Sequence, residues 1–363
     1  LSDRVGDMAR YDRIAPLGAP PRERVFPAWL ALRDLEGCER DADLARRARL
    51  RFLALRPVRR LLRQGIDGVP VESFERQVEG IREELGHLSA RDPERAQLAK
   101  YLHRIRQRTP LALVTATLDM GEVAESAGHY WAAQEFYLTG LELAEVHGLV
   151  PEQIIALRLL GRICRNSTCW DRAEDYYRRA LRLAEDLGER RQWARAMDGM
   201  AAVHRFRGDP DGARRLLEEA RARGREWEDP HVVAIATAGL CVHELALDEP
   251  ERAVEYGWEA VRSLERGDER ANVLANLAVA FERLGMYLAA ERCYAAVVSE
   301  TTSLARSMHA RAAHAVMAAL TGEANAFRAR RRAILAGSAG WDGEPSIAVQ
   351  VHLELGRGCL LVG

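Results

Sequence analysis

Lysine is almost missing from this chain. Lys100 is the single Lys in 363 residues, and the remainder of the 53 basic side chains is Arg. That skew reads as the codon bias of a GC-rich, bacterial genome rather than as a chemical demand. Paired cysteines are missing too. Cys38, Cys164, Cys169, Cys241, Cys293 and Cys359 stand apart with no Cys-x-x-Cys between them, which removes the common zinc and dithiol motifs. Cys164 and Cys293 fall where a helix would bury a small apolar residue, so reduced structural thiols in a cytoplasmic protein are the expectation. No apolar run approaches the roughly 18 residues of a bilayer span, and no basic-then-apolar leader opens the sequence. Membrane insertion is therefore not indicated. Net charge is −1, so the chain as a whole is no polyanion binder.

Catalytic signatures are equally scarce. HELAL at 243–247 opens like a zinc-protease helix, but Leu247 stands where the second His is required. AGSAG at 336–340 has Ala where a nucleophile elbow needs its first Gly. Gly356, Gly358 and Gly363 lack the spacing of a nucleotide loop, and no phosphate-loop lysine motif exists. His309 and His314 are five apart rather than four, and pairs such as Glu218-Glu219 read as solvating. The expectation is a non-enzyme with no cofactor and no metal.

What is present is a repeat. Hydrophobic residues make up 48% and charged residues 29%, the balance of a folded protein. Residues 128–147, GHYWAAQEFYLTGLELAEVH, are echoed by 168–187, TCWDRAEDYYRRALRLAEDL. Ala133 matches Ala173, Tyr137 matches Tyr177, and Ala144 matches Ala184, while Trp170 falls one place early relative to Trp131. Extended along the chain, a small residue recurs at Ala96, Ala133, Ala173, Ala213, Ala253 and Ala290, then as Phe327, at intervals of 37 or 40. A bulky residue follows four places later in most copies: Tyr137, Tyr177, Leu217 and Tyr294. Spacings of four, three and seven share one helical face.

A second apolar stripe precedes each of these helices: Leu118, Gly121 and Ala124; Leu157, Gly161 and Cys164; Leu274, Leu277, Ala278 and Phe281. Small residues there allow close helix approach. Breakers separate the two helices of each pair: Gly128, Gly208-Asp209-Pro210, Asp248-Glu249-Pro250 and Gly285. DPERA at 92–96, DPDGA at 209–213 and EPERA at 249–253 spell one helix start, an acidic N-cap before a proline that needs no donor. Each unit is thus two antiparallel helices that bury a face only by stacking on neighbours.

The N-terminal quarter differs. Residues 1–21 carry Pro16, Pro20 and Pro21 and read as an irregular arm. Helices are expected over 22–36 and 41–64, with Pro57 kinking or splitting the second. Leu44, Ala48, Phe52, Leu55, Val58 and Leu62 form its buried stripe. Between them lie Arg46, Arg47, Arg49, Arg51, Arg56, Arg59, Arg60 and Arg63, with no acid among them. Arg46, Arg49, Arg56, Arg60 and Arg63 make a candidate basic surface for an acidic partner, against the plainer reading of a solvated face. No helix-turn-helix, zinc-finger spacing or aromatic–basic interleaving supports nucleic acid.

The repeated pattern resembles the tetratricopeptide repeat family in a variety with 37–40-residue spacing. The resemblance covers residues 75–363, strongest over 113–299, with 75–110 and 300–363 degenerate. It implies an all-α fold, a right-handed α-solenoid of antiparallel helix pairs, following an N-terminal region over 1–74. It also implies that first helices line a groove whose polar residues hold a protein or peptide. In register, that nominates Arg158, Arg162, Arg165 and Asn166, then Arg195 and Arg205, then Asn272, Asn276 and Arg283. Arginines can grip carboxylates bidentately, and Asn bonds a backbone as donor and acceptor. With few acids near the five arginines, an acidic peptide or free C-terminus is the expected ligand. Ile235, Ala238, Val242 and Leu245 would add an apolar floor. The plainer alternative pairs Arg158 and its neighbours with Glu122, Glu125 or Asp198.

The expected function is a binding scaffold. The alternative is the sensor part of a larger signalling, transcriptional or defence protein, suggested by Leu1 in place of Met and by a final unit cut at Gly363. In that unit Gly356 is assigned the close-approach position. Bare Leu360, Leu361 and Val362 suggest self-association or docking at this end.

Overall fold

The structure, a computed structural model, describes residues 42–88, 93–126, 129–337 and 345–362. The expected arm over 1–21 and helix over 22–36 lie outside them. All regular structure among the described residues is helical, and the chain divides into two compact units between Ala156 and Leu157.

The first unit holds α1 (Ala42–Gln64), α2 (Val71–Leu85), α3 (Pro93–Ile105), α4 (Pro110–Ser126), α5 (Tyr130–Val146) and the start of α6 (Val150–Asn166). The sequence-based boundary at 74/75 falls inside α2. Pro57 does not split α1, which runs unbroken with Pro57 buried inside it. Phe52, Leu55 and Val58 are buried as expected of the stripe; Leu61 is buried where Leu62 was assigned, and Leu62 is half-buried. The side chains of Leu44 and Ala48 lie outside the description.

Two α1 arginines turn inward instead of facing solvent. Arg51 pairs with Glu94 of α3 through Nε and Nη2, the latter at 2.6 Å. Arg59 donates to Glu135 at 2.6 Å and to Thr139 Oγ1 at 3.1 Å on α5. Buried pairs of this kind fix one packing arrangement, and losing a partner costs about 3–5 kcal/mol. In α3 the register assigned from Ala96 fails: Ala96 is exposed, and Leu98, Tyr101, Leu102 and Ile105 form the buried face. Tyr101 meets the Phe136 ring edge-on at 5.7 Å and donates to the Ala54 carbonyl.

The second unit holds the remainder of α6, then α7 (Trp170–Leu187), α8 (Arg190–Phe206), α9 (Pro210–Glu226), α10 (Pro230–Ala246), α11 (Pro250–Ser263), α12 (Asp268–Arg283), α13 (Tyr287–Glu300), α14 (Leu304–Leu320), α15 (Ala324–Gly337) and α16 (Pro345–Val362). From α7 to α16 each helix packs on the next. Helices α8, α10 and α12 also touch across the intervening partners, so first helices form a layer of their own. This is an α-solenoid of hairpins.

Local chemistry explains the helix ends. Asp209 caps α9 by accepting from the Gly212 amide at 2.8 Å, with Pro210 in the first turn. Asp229 does the same for α10 through the amides of His231 and Val232. Glu249 precedes Pro250 but makes no capping bond, its longer side chain being poorly placed to fold back. Asp92 lies outside the described residues. The hairpin turns repeat one backbone device: Thr168, Gly208, Asp248, Gly285 and Gly322 all have positive φ.

The hairpins lock where a large side chain meets a glycine. Tyr177, 2% exposed, lies between Gly161 of its own hairpin and Gly199 of the next. A Cβ on Gly161 would sit 2.9 Å from the ring, and one on Gly199 would clash more severely. Phe327 is buried against Gly358 in the same way. Gly356, assigned the close-approach position from sequence, is exposed with open space around it, two residues off register. On α16 Leu353, Leu360 and Leu361 are exposed. Cys164, Cys241 and Cys293 are buried, and burial pushes their thiols up to about 12, 12 and 11.

Two outcomes test this packing. Tyr177→Ala should cost about 3–5 kcal/mol, read from the urea midpoint, because two helices lose the same ring. A loss under about 1 kcal/mol means the ring is not the lock. Thr168 is β-branched at φ 59°. Thr168→Gly should raise stability by about 0.5–1 kcal/mol, the relief of a left-handed backbone less the added freedom of the unfolded chain.

Candidate functional site

A pocket of about 170 Å³, open to solvent, lies in the second unit where α8, α10 and α12 converge. Helix α10 supplies its floor with Ala234, Ile235, Ala238, Gly239 and Val242, joined by Val273 and Leu264. Helix α8 contributes Arg195 and Asp198, and α12 contributes Glu269, Asn272 and Asn276. Periodicity explains the grouping. Arg195 and Asp198 are three apart, Glu269, Asn272 and Asn276 are three and four apart, and Ile235, Ala238 and Val242 are three and four apart. Each set therefore shares one helical face.

The structure thus brings together Arg195, Asn272 and Asn276 from the sequence-based set, over Ile235, Ala238 and Val242. Leu245, assigned to the same floor, is buried elsewhere in the core. Arg283 does not join the cavity. It reaches back to the preceding hairpin turn, donating to the Leu245 carbonyl at 2.5 Å and to Asp248 at 3.1 Å. It stands at the end of α12, beyond the face that carries the two asparagines.

Arg158 and Arg165 of α6 and Arg205 of α8 act together on one carboxylate, that of Asp198. Burial is the largest influence on Asp198 and raises its pKa; the three guanidiniums pull the other way. Asp198 fits because Gly239 has no side chain: a Cβ there would lie 2.6 Å from Asp198 Oδ1 and 2.5 Å from Leu217. Arg205 is itself desolvated, which lowers its pKa against the raising effect of Asp198, and its guanidinium lies 5.5 Å from the Phe206 ring centre. Arg162, Arg158 and Arg165 all act on the buried Tyr177 hydroxyl, whose pKa burial pushes up to about 12. Arg165 also donates weakly to the exposed Asn166 at 3.3 Å.

The expectation of few acids near these arginines is corrected by two residues. Asp198 sits among Arg158, Arg165 and Arg205, and Glu269 forms an ion pair with Arg195. Both acids carried a usable signal, since each lies one turn from a nominated residue on the same face. The distance across two hairpins from Arg195 to Glu269 carried none.

The basic surface on α1 is divided. Arg49, Arg56 and Arg63 are exposed, whereas Arg60 is half-buried and donates to Ser73 Oγ at 2.7 Å. The side chain of Arg46 lies outside the described residues. In the HELAL segment His243 and Glu244 are fully buried. Glu244 pairs with Arg214 at 2.7 Å, and burial followed by Arg214 lowers the His243 pKa. No group of three metal-ligating side chains occurs among the described residues, and no described helix is long and apolar enough to cross a membrane.

The tetratricopeptide repeat pattern matches residues 152–226, which span α6 to α9. The chain is also similar to solved helical-repeat structures. BtubC from P. vanneervenii is 18% identical, over 62% of this chain and 92% of that one, with a TM-score of 0.46. A Rap protein complexed with competence and sporulation factor is 14% identical, over 85% and 94%, with a TM-score of 0.47. NprR in complex with its cognate peptide NprX is 12% identical, over 84% and 97%, with a TM-score of 0.46. No curated protein shows significant sequence similarity to it.

Asp198 supplies a prediction with a definite sign. An acid whose folded pKa is raised binds its proton more tightly folded than unfolded. It therefore costs stability that grows as pH rises from the ordinary carboxylate value of about 4 through the raised one. Asp198→Asn should melt above wild type at pH 7, and the gap should close near pH 4. Urea midpoints at the two pH values measure it. A mutant less stable at pH 7 means the three arginines outweigh the burial cost.

Proposed function

We propose that this tetratricopeptide-repeat chain is a protein- or peptide-binding module. Its cavity over α10 receives a segment that carries a carboxylate beside an apolar side chain. The observation behind this reading is the convergence of three first helices on one apolar floor with a polar rim. Apolar pockets with a few placed polar groups are the usual form of a ligand site. The apolar side chain covers Ile235, Ala238 and Val242, Arg195 takes the carboxylate, and Asn272 and Asn276 pair with backbone amide and carbonyl groups. Arg158, Arg162, Arg165 and Arg205 add a positive field partly offset by Asp198, which favours an acidic segment on approach.

A peptide array that pairs apolar–acidic segments with their apolar–basic counterparts tests the reading. Wild type should favour the acidic members, and the preference should fade as salt screens the attraction. Ile235→Glu puts a charge on the floor at a half-buried position. It should weaken binding by about tenfold or more, the worth of one buried aliphatic contact, with the melting temperature nearly unchanged. Equal binding of both peptide classes, or no effect of Ile235→Glu, overturns the reading.

A further inference from the structure

We propose that Glu269 is a built-in competitor for Arg195, so that a ligand enters the cavity by taking Glu269's place. The inference rests on the cavity being a ligand site. Its evidence is the path of the ion pair. Arg195 belongs to α8 and Glu269 to α12, and both line the cavity whose floor is the helix between them, α10. The pair therefore bridges two hairpins across the apolar face of Ile235, Ala238 and Val242 instead of joining neighbours along the stack.

Three features make Glu269 the exchangeable partner. Glu269 meets Arg195 at Nη2, so a ligand carboxylate that grips the guanidinium bidentately through Nη2 takes the donor that Glu269 now holds. Both side chains are partly open to water, 36% for Arg195 and 50% for Glu269. A released Glu269 thus returns to solvent with little desolvation cost. Asp198 differs: it is half-buried with Oδ1 seated over Gly239, and burial is the largest influence on its pKa. Glu269 also lies one turn before Asn272 on the same face of α12. A ligand carboxylate that replaces it arrives in register with the amides of Asn272 and Asn276. The competitor sets a threshold: weak or amidated ends leave the pair closed, and a carboxylate anchored by its apolar neighbour opens it.

The test uses the full chain, immobilised, and one probe in two forms: a random pentapeptide pool with free C-terminal carboxylates, and the same pool amidated. Wild type should retain the carboxylate pool in preference to the amide pool. Glu269→Gln should retain about two- to fivefold more carboxylate pool, the range that an exposed ion pair supports. Its effect on the amide pool should be small. Glu269→Asp, which keeps the charge on a shorter arm, should fall between the two. Arg195→Gln should hold both pools equally, and adding Glu269→Gln to it should change nothing. If wild type prefers the carboxylate pool but Glu269→Gln matches wild type, the competitor is overturned and the binding function stands. If no form distinguishes the pools, the competitor for a terminal carboxylate is overturned, and the preference for acidic over basic peptides decides the reading of the cavity separately. Melting curves run alongside; an early melt of both Glu269 variants marks the pair as a structural strap and overturns the proposal.

Discussion

The stacking of the hairpins depends on a large side chain meeting a helix face that has none. Tyr177 fits between Gly161 and Gly199, Leu217 lies on Gly239, Leu277 on Gly257 and Phe327 on Gly358. The first unit uses the same contact where Tyr137 meets Gly121 and Leu118 meets Gly140. Each glycine lets a ring or branched chain touch helix backbone, where dispersion contacts are dense and an added methyl has nowhere to go. A hairpin without this contact has no reason to choose one register over its neighbour's. The cavity follows from the same constraint. Gly239 receives Leu217 on one side and Asp198 on another, so the residue that brings α10 close to the stack also admits a carboxylate to the rim.

Arginine does two jobs that lysine would do less well. Its planar fork joins successive hairpins, where Arg207 holds Asp171 and Glu174 and Arg221 holds both oxygens of Glu259, and closes a single hairpin where Arg270 holds Glu300. These contacts satisfy carboxylates at the edges of the stack and are largely structural. Arg195 uses the same chemistry over the apolar floor, where its partner lies two hairpins away. A count of arginines therefore says little about binding; the place of the partner decides the role.

The repeat was legible because it is periodic. Tyr177, Phe327 and the alanines from Ala133 to Ala290 sit in the core as their spacing requires, since 37- and 40-residue intervals return each residue to the same place in successive hairpins. Where periodicity weakens, so does the reading. Ala96 is exposed because α3 packs through Leu98, Tyr101 and Ile105, and in α16 it is Gly358, two residues beyond Gly356, that meets Phe327. Of the nominated site residues, Arg195, Asn272 and Asn276 come together because helical spacing set their faces. Arg283 could not be separated from them by spacing, since its partner is the turn of the preceding hairpin.

The sequence by itself determined the order of the helices in pairs, the capping of α9 and the face that α5, α7, α9, α11 and α13 bury, because these follow from local propensity and from a period of 3.6. It also determined that Ile235, Ala238 and Val242 would share a side. Asp198 beside Arg158 and its neighbours was among the alternatives the sequence left open; only the tertiary structure decided that Arg51 and Arg59 turn inward and that Glu269 closes on Arg195. Those outcomes depend on which charges from distant segments the stack brings within reach of one another. No spacing within a single helix records that.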